Sequence, residues 1–434
     1  MERAGRGAIR REALNGDTIF ALSSGTGPAA IAVVRVSGPE AFGAVAALTS
    51  QALPAPRQAA LRRLHWQGVT LDEALLLRFL GPASATGEDI VELHLHGGRA
   101  TVAAVLAALG EQSGVRQAEP GEFTRRALAN GRIDLNEAEG LADLLAAETE
   151  VQRRAALAMA EGGLSRQLEQ LRRRLLDAAA RLEAAIDYAE EDDVLPWPER
   201  KQELGAIVQQ VDALLTAPPA ERLRDGYRVV VAGPPNAGKS TLINALAGRS
   251  VALTSDIAGT TRDRIEAPVM LDGLPFVLTD TAGLRDETDD VLERAGMHLA
   301  HEALARADLI LWLGDRSAQP TGGNVILIAN KSDVESRPGL ALSALTGDGL
   351  AALRNLLVTR ARAALTSERL LLLNGRQRSG LHELSRHLRE AQFEDVLLAA
   401  EGVRASLHVI DRLVGRATTN DMLDALFSRF CLGK

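Results

Sequence analysis

The chain has 434 residues, of which 46% are hydrophobic, a formal net charge of −8 and a single cysteine, Cys431. That length holds roughly three domains of about 150 residues, and apolar runs such as Val325 to Ala329 fall far short of the ~20 residues a membrane span requires. One thiol excludes an intrachain disulfide and suits a reducing, cytoplasmic setting, while the acidic balance excludes a chain-wide electrostatic grip on nucleic acid, so any RNA contact is local.

Residues 1–16 carry four arginines but no apolar run, and Glu2 and Glu12 count against a transit peptide, so they read as a disordered extension. Residues 17–130 read as an α/β module. Strands are expected at Thr18 to Ser24, Ala30 to Ser37, Ala74 to Leu80 and Ile90 to His96, with a helix over Thr101 to Leu109. From 131 to 222 the pattern turns helical, with Leu164, Leu168, Leu171, Leu175, Leu182 and Ile186 on one face. A second α/β segment spans 223–365, with buried-strand runs at Arg228 to Ala232, Phe276 to Thr279, Leu309 to Leu313 and Val325 to Ala329. Helical spacing returns over 366–434 at Leu381, Leu384 and Leu388, then Met422, Leu426 and Phe430. The two helical stretches read as one domain interrupted by an insertion whose ends lie close together.

Within the inserted segment, Gly233-Pro234-Pro235-Asn236-Ala237-Gly238-Lys239-Ser240-Thr241 follows a strand and opens a helix, matching G-x-x-x-x-G-K-[ST] in its working context. Glycines let backbone N–H groups curl around phosphates, Lys239 reaches the β and γ oxygens, and the Ser240 hydroxyl ligates Mg²⁺. Downstream come Asp256-Ile257-Ala258-Gly259-Thr260-Thr261 and Asp280-Thr281-Ala282-Gly283. The Thr261 hydroxyl suits the Mg²⁺ shell, Asp280 holds the metal through water, and the Gly283 N–H meets the γ-phosphate. Asn330-Lys331-Ser332-Asp333 closes the strand Val325 to Ala329, and Asp333 can accept from two guanine N–H donors that adenine lacks. Ser343-Ala344, after a short strand over Gly339 to Leu342, offers a backbone N–H to the guanine carbonyl. An ATPase is disfavoured by Asn330 and Asp333. Where Ras-like switches place a water-orienting glutamine this chain has Leu284, and the acidic run Asp286, Glu287, Asp289, Asp290 and Glu293 offers carboxylates without singling one out.

Asn236 in the P-loop, Ser255-Asp-Ile-Ala-Gly-Thr-Thr-Arg262-Asp263, Asp280-Thr-Ala-Gly-Leu-Arg285 and the terminal Phe430-Cys-Leu-Gly-Lys434 together resemble the MnmE (TrmE) family of tRNA modification GTPases. The resemblance extends to Leu93-His-Leu-His-Gly-Gly98, Pro120-Gly-Glu-Phe-Thr124 and Ile133-Asp-Leu-Asn-Glu-Ala-Glu139, outside the GTPase motifs. It implies a multidomain α/β plus all-α fold: an amino-terminal α/β folate-binding-like domain, a central helical domain, and a Ras-like α/β G domain inserted into the helical one. It also implies a homodimer whose G domains pair to become active, with K⁺ held by Asn236, Ser255, Ile257 and Thr260, and with Glu293 orienting water. A fixed monovalent cation beside the β and γ oxygens stabilises transition-state charge much as a guanidinium does. The stretch between Gly283 and Glu293 is one residue longer than the family pattern leads one to expect.

For the amino-terminal domain the resemblance implies binding of 5-formyltetrahydrofolate or a related tetrahydrofolate by Arg35, Glu92 and Arg132, with Lys434 reaching in from the carboxyl end. Period two places Glu92, His94 and His96 on one strand face, opposite Val91, Leu93 and Leu95, which suits a polar pocket wall and equally an exposed polar face. His94 and His96 lack an evident third ligand for a metal. Arg132 stands where the family leads one to expect lysine. Cys431 resembles a thiol required for modification in the family, and a lone cysteine beside Phe430 and Leu432 is equally a small apolar residue. The implied partners are a flavoprotein resembling GidA (MnmG) and tRNA, whose wobble uridine would receive an aminomethyl-type group. The alternative is a regulatory or ribosome-assembly GTPase without covalent RNA chemistry. One departure concerns Asp315 to Asn324, where eight residues intervene although a helical parallel crossover takes about a dozen.

Overall fold

The computed structural model describes residues 16–25, 27–187, 197–216, 223, 225–248, 266–281, 302–320, 324–335, 337–365, 371–392, 395–417, 423, 426, 427, 430 and 433. The chain divides into two compact units, one of Met1–Ala142, Ala160–Arg173 and Leu407–Lys434, the other of Asp143–Met159 and Arg174–Ser406.

The first unit is built on strands β1 (Thr18–Leu22), β2 (Ile31–Ser37), β3 (Ala60–Trp66), β4 (Val69–Phe79), β5 (Ile90–His96) and β6 (Val115–Gln117), in the order β3-β4-β5-β2-β1-β6. All neighbours are antiparallel except β1 and β6. Alternation sets the faces. Val91, Leu93 and Leu95 of β5 point into a core with Val34, Val36, Leu64 and Leu76, capped by helices α1 (Ala41–Ala46) and α2 (Arg99–Gly110) through Val45, Val105 and Leu109. On the opposite face, α3 (Glu122–Ala129) lays Phe123 against Ile19 and Ala21 of β1. Leu135 and Ala138, at the start of α4 (Leu135–Leu145), cluster with Leu423, Leu426, Phe427 and Phe430 from the far end of the chain.

Strand β4 starts five residues before the expected Ala74, and β3 and β6 lie where no strand was expected. The physical reason is the edge position: β3 reads Ala-Leu-Arg-Arg-Leu-His-Trp, buries only Leu64 fully and turns charge outward, so its apolar signal is weak. Helices α5 (Glu150–Ala160) and α6 (Gly163–Asp187) follow. In α6 the stripe Leu164, Leu168, Leu171, Leu175 and Leu182 is buried, while Ile186 is half-buried.

In the second unit, α7 (Trp197–Leu215) precedes a sheet of β7 (Tyr227–Ala232), β8 (Glu266–Leu271), β9 (Leu274–Asp280), β10 (Leu309–Trp312), β11 (Val325–Ala329) and β12 (Leu340–Ala341). Its order is β12-β11-β10-β7-β9-β8, parallel except for the β8–β9 hairpin. Near-continuous apolar runs form these strands because both faces are covered. Helices α8 (Lys239–Ala247) and α9 (Leu350–Leu365) close the core through Leu242, Leu246, Leu353 and Leu357 against Val229, Val231 and Leu311. The chain returns through α10 (Gly375–Glu390), started by an Asn374/Gln377 capping box, and α11 (Val396–Leu413). Helix α10 packs on α7. Leu381, Leu384 and Leu388 are fully buried, and Asp212 of α7 accepts from Ser385 Oγ at 2.8 Å and Arg389 Nη2 at 2.6 Å. Truncating one such leucine costs about 2–5 kcal/mol.

Between β10 and β11, residues 313–324 carry one 3₁₀ turn, Arg316–Ala318, as the only helical element among the described residues. The two strands are nonetheless parallel neighbours, with Ile310 opposite Val325.

Candidate functional site

The carboxyl ends of β7, β9 and β11 converge on the P-loop. Gly238 stands at φ +89° immediately before α8, and a Cβ there would collide with Asn330 Nδ2, so this position takes only glycine. No side chain caps α8, which leaves its first backbone N–H groups for an anion. The Lys239 ammonium, 7% exposed, donates to Gly233 O at 3.1 Å and Pro234 O at 3.0 Å and so curls over the loop. Parallel pairing of Val231 with Asp280 carries the Asp280 carboxylate to the start of α8, where Ser240 Oγ donates to Oδ2 at 2.5 Å. Thr281 is fixed beside it, its N–H and Oγ1 donating to Val231 O at 3.3 and 3.1 Å. A hydroxyl and a carboxylate in contact, beside a lysine and a free helix start, form a donor set that fits a phosphate chain and a hard divalent cation such as Mg²⁺.

The opposite rim is braced by Asn330, which follows β11. Its Nδ2 donates to Ala237 O at 3.0 Å and its Oδ1 accepts from Ala344 N at 3.1 Å, so one side chain ties the P-loop to the Ser343-Ala344 turn. Lys331, at φ +63°, donates from Nζ to Asn236 O at 2.9 Å. Ser332 N donates to Leu342 O, and Ser343, 1% exposed, accepts Thr346 N on its hydroxyl at 3.2 Å. Asp333 is left exposed at the rim. Thus Asn236, Ala237, Gly238, Lys239, Ser240, Thr241, Asp280, Thr281, Asn330, Lys331, Asp333, Ser343 and Ala344 lie at or just after the carboxyl ends of four strands of one sheet, β7, β9, β11 and β12. Ser255, Asp256, Ile257, Ala258, Gly259, Thr260, Thr261, Ala282, Gly283 and Glu293 lie outside the described residues, as do Cys431 and Lys434. Of the expected K⁺ ligands only Asn236 is described, exposed and at φ +61°.

In the first unit, β2–β5 register sets Arg35 directly opposite Glu92, and Arg35 donates from Nε (3.1 Å) and Nη2 (2.8 Å) to Glu92 Oε1. The guanidinium lies 5.7 Å from the Phe123 ring centroid. Glu92 Oε2 sits 3.7 Å from His94 Nε2, a buried nitrogen with no hydrogen-bond partner among the described residues. A buried imidazole nitrogen without a partner is what a polar ligand at this wall would satisfy, so Arg35, Glu92 and His94 fit a heterocycle with its own donors and acceptors. Arg132 is exposed, with its stem against Gly87. Gly433 lies flush against Leu22 and Ser23, leaving no room for a Cβ, and Ser23 Oγ donates to Gly433 O at 3.0 Å. The carboxyl end thereby meets the end of β1, the strand beside Arg35's.

Several groups here carried no local sequence signal. Asp72, just ahead of the expected start of β4, accepts from His96 N (2.8 Å) and lies 2.7 Å from His96 Nδ1; that hydrogen bond, then the carboxylate charge, raises the His96 pKa above 6.5. Arg126, 1% exposed, is ringed by Glu122 at 3.0 Å, Glu88 at 3.2 Å and Asp17 at 3.4 Å. Burial alone would raise the Glu122 pKa, but hydrogen bonds from Arg116, Glu119 N and Arg126 outweigh it and hold it low. Among the described residues no three His, Cys, Asp or Glu side chains are grouped to hold a metal, so His94 and His96 gain no third ligand.

Comparison with known proteins falls on the same segments. Residues 18–132 match the family profile of the GTP-binding protein TrmE N-terminus, and residues 135–431, which bracket the P-loop segment, match that of the MnmE helical domain. Curated relatives named tRNA modification GTPase MnmE align almost end to end. The protein of Rhizorhabdus wittichii is 55% identical over 96% of this chain and 97% of its own. Those of Novosphingobium aromaticivorans and Erythrobacter litoralis are 52% and 51% identical over 96% of this chain and all of theirs.

Proposed function

Because the chain belongs to the MnmE family of tRNA modification GTPases, we propose that it hydrolyses GTP together with a flavoprotein partner resembling GidA (MnmG). The outcome is a 5-carboxymethylaminomethyl- or aminomethyl-type group on the wobble uridine of tRNA. The chain is a GTP hydrolase acting in tRNA modification, and the finer assignments are ours. The observation that carries the nucleotide site is the convergence of Lys239, the Ser240–Asp280 contact and the Asn330 brace on one P-loop, and the partner and uridine assignments follow the family. Lys239 and the α8 start bind the phosphates, Ser240 and Asp280 hold Mg²⁺, and Asp333 reads guanine, while the expected Ala344 N–H is already given to Asn330 Oδ1 and braces the turn instead. Bound Mg²⁺ supplies charge neutralisation at the β and γ oxygens.

Two further assignments follow family positions. Asn236, Ser255, Ile257 and Thr260 hold K⁺ when the G domains of a homodimer pair, and Glu293 orients water. Equal hydrolysis rates in K⁺ and Na⁺ would remove the potassium site. Arg35, Glu92, Arg132 and Lys434 bind 5-formyltetrahydrofolate or a related tetrahydrofolate as one-carbon donor, and Cys431 serves the modification step. The unpartnered His94 nitrogen on this wall supports a ligand there.

A homodimer is also supported by the sheet face opposite α1 and α2. Leu61 (55% exposed) pairs with Leu75 (37%), and Ile31 (59%) lies on the same face, so three exposed apolar side chains share it with His94 and His96. Residues 131–222 and 366–434 form one helical domain interrupted by the G domain 223–365, consistent with α7 packing on α10. No helix among the described residues is long and apolar enough to cross a membrane, and a cytoplasmic location suits a tRNA substrate. Mass spectrometry of wobble nucleosides from cells lacking this chain tests the whole proposal. Loss of the C5 modification is expected, and an unchanged profile would sink it.

A further inference from the structure

Strands β4 and β5 are antiparallel neighbours, a connection that takes as few as about two residues. Here it spans 80–89, and it is held at Gly81, Ser84, Thr86 and Glu88. Gly81 N donates to Asp89 Oδ1 at 2.9 Å, and Ser84 Oγ donates to Glu88 O at 2.5 Å. Ser37 Oγ donates to Glu88 Oε2 at 2.8 Å and therefore accepts from Thr86 Oγ1, also at 2.8 Å. Arg126, buried to 1% exposure, adds its Nη1 to both Glu88 oxygens at 3.2 and 3.3 Å. The same loop reaches the residues just after α3: Asn130 Nδ2 donates to Thr86 O at 2.8 Å. At Gly87, φ +81°, an added Cβ would stand 2.8 Å from Asn130 Cβ and 3.1 Å from Arg132 Cγ. Arg132 thus runs its stem over a residue that must lack a side chain. Its guanidinium is exposed and has no carboxylate partner among the described residues.

We infer that the 80–89 loop is the positioning element for Arg132, with Gly87 giving the clearance and Glu88 the anchor, so that the guanidinium is presented to the anionic carboxylates of a reduced folate. This rests on the folate assignment above. The anchor is rigid because Glu88 is shared between Ser37 and Arg126, and Ser37 lies two residues from Arg35 on the same strand. The two arginines assigned to the ligand are therefore held by one hydrogen-bonded frame. Gly87 and Asn130 act through Arg132 and are positioning residues.

Calorimetric titration with 5-formyltetrahydrofolate separates the outcomes, using the full-length protein, Gly87→Ala, Asn130→Ala, Arg132→Ala and the two doubles with Arg132→Ala, each checked for a wild-type melt. Losing one charge-assisted contact should weaken binding about tenfold or more in Arg132→Ala. Gly87→Ala and Asn130→Ala should each weaken it several-fold, and neither should weaken binding further once Arg132 is gone, because contacting residues on one path are not additive. Wild-type affinity in both Gly87→Ala and Asn130→Ala, or losses that multiply in the doubles, would overturn the inference while leaving the folate site standing. Absence of binding by the unmodified chain would remove both. Asn130→Ala keeps its Cβ and leaves φ at Gly87 untouched, so the question is decided even where Gly87→Ala does not fold.

Discussion

Replacing Asn330 with alanine should loosen nucleotide binding by way of the P-loop's own geometry. The side chain makes two neutral hydrogen bonds, to Ala237 O at 3.0 Å and from Ala344 N at 3.1 Å. At about 1 kcal/mol net for each, their removal costs about 2 kcal/mol, equivalent to about a 30-fold loss of affinity if the whole of it falls on the nucleotide-competent loop. Asn330→Asp sharpens the test. It keeps an acceptor for Ala344 N but turns an oxygen toward Ala237 O, so it should bind at least as weakly as the alanine variant despite being nearly isosteric. Equilibrium titration with a fluorescent guanine nucleotide reads both, with a thermal melt in parallel. Affinity within about threefold of wild type in Asn330→Asp would refute the brace, because an unrelieved oxygen–oxygen contact cannot be that cheap.

Acid should weaken the first unit through Glu122. Its folded pKa lies below the ordinary carboxylate value of 4.5, so its stabilisation is present above that value and is lost as pH falls through the folded one. Glu122→Gln should flatten this acid limb in circular dichroism and lower stability at neutral pH by about 3 kcal/mol, because Arg126 is left undercompensated. His96 titrates in the opposite sense: its folded pKa is raised above 6.5 by Asp72, so the pair's contribution is complete below 6.5 and fades as pH rises past the folded value. The NMR midpoint of His96 should move back toward 6.5 in Asp72→Asn, and an unmoved midpoint would contradict the pairing. Gly433→Ala should displace the carboxyl end from Leu22 and Ser23, where no Cβ fits, and wobble modification by the purified system should fall at least tenfold.

What could be read from the sequence was what repeats or what must be glycine. Val91, Leu93 and Leu95 against Glu92, His94 and His96 gave a strand and its faces because period two leaves little choice once one face is buried. The strand–Gly-rich turn–helix context fixed Lys239 and Ser240, since few other sequences curl a backbone that way. The partnerships were not legible. Asn330 reads as a base-selecting residue from its tetrapeptide, yet its side chain reaches Ala237, 93 positions earlier, because β11 and β7 end side by side in one parallel sheet, separated only by β10. Glu88 with Arg126, and Ser23 with Gly433, are likewise pairs made by topology, and no window of sequence contains both members. Edge strand β3 was missed for a related reason, as its charges belong to the edge and mask the alternation.

The short link between β10 and β11 bears on the same strand that carries Asn330. A parallel crossover ordinarily lays a helix over the sheet, and over 313–324 a single 3₁₀ turn is the one helical element described. Consistent with a thinner cover, Val325, Ile326 and Leu327 are only half-buried, whereas Val229, Val230 and Val231 of β7 are buried throughout. The strand still ends in a well-formed site because Ile328 and Ala329, its last two residues, are buried and pair with Leu340 and Ala341 of β12. Asn330 hangs from that buried end. The loss of cover is therefore confined to the amino end of β11, away from the nucleotide, and filling it with bulkier side chains at Val325 or Leu327 should change stability without altering guanine affinity. A parallel fall in affinity in such variants would show that the brace at Asn330 depends on the whole strand and not on its carboxyl end.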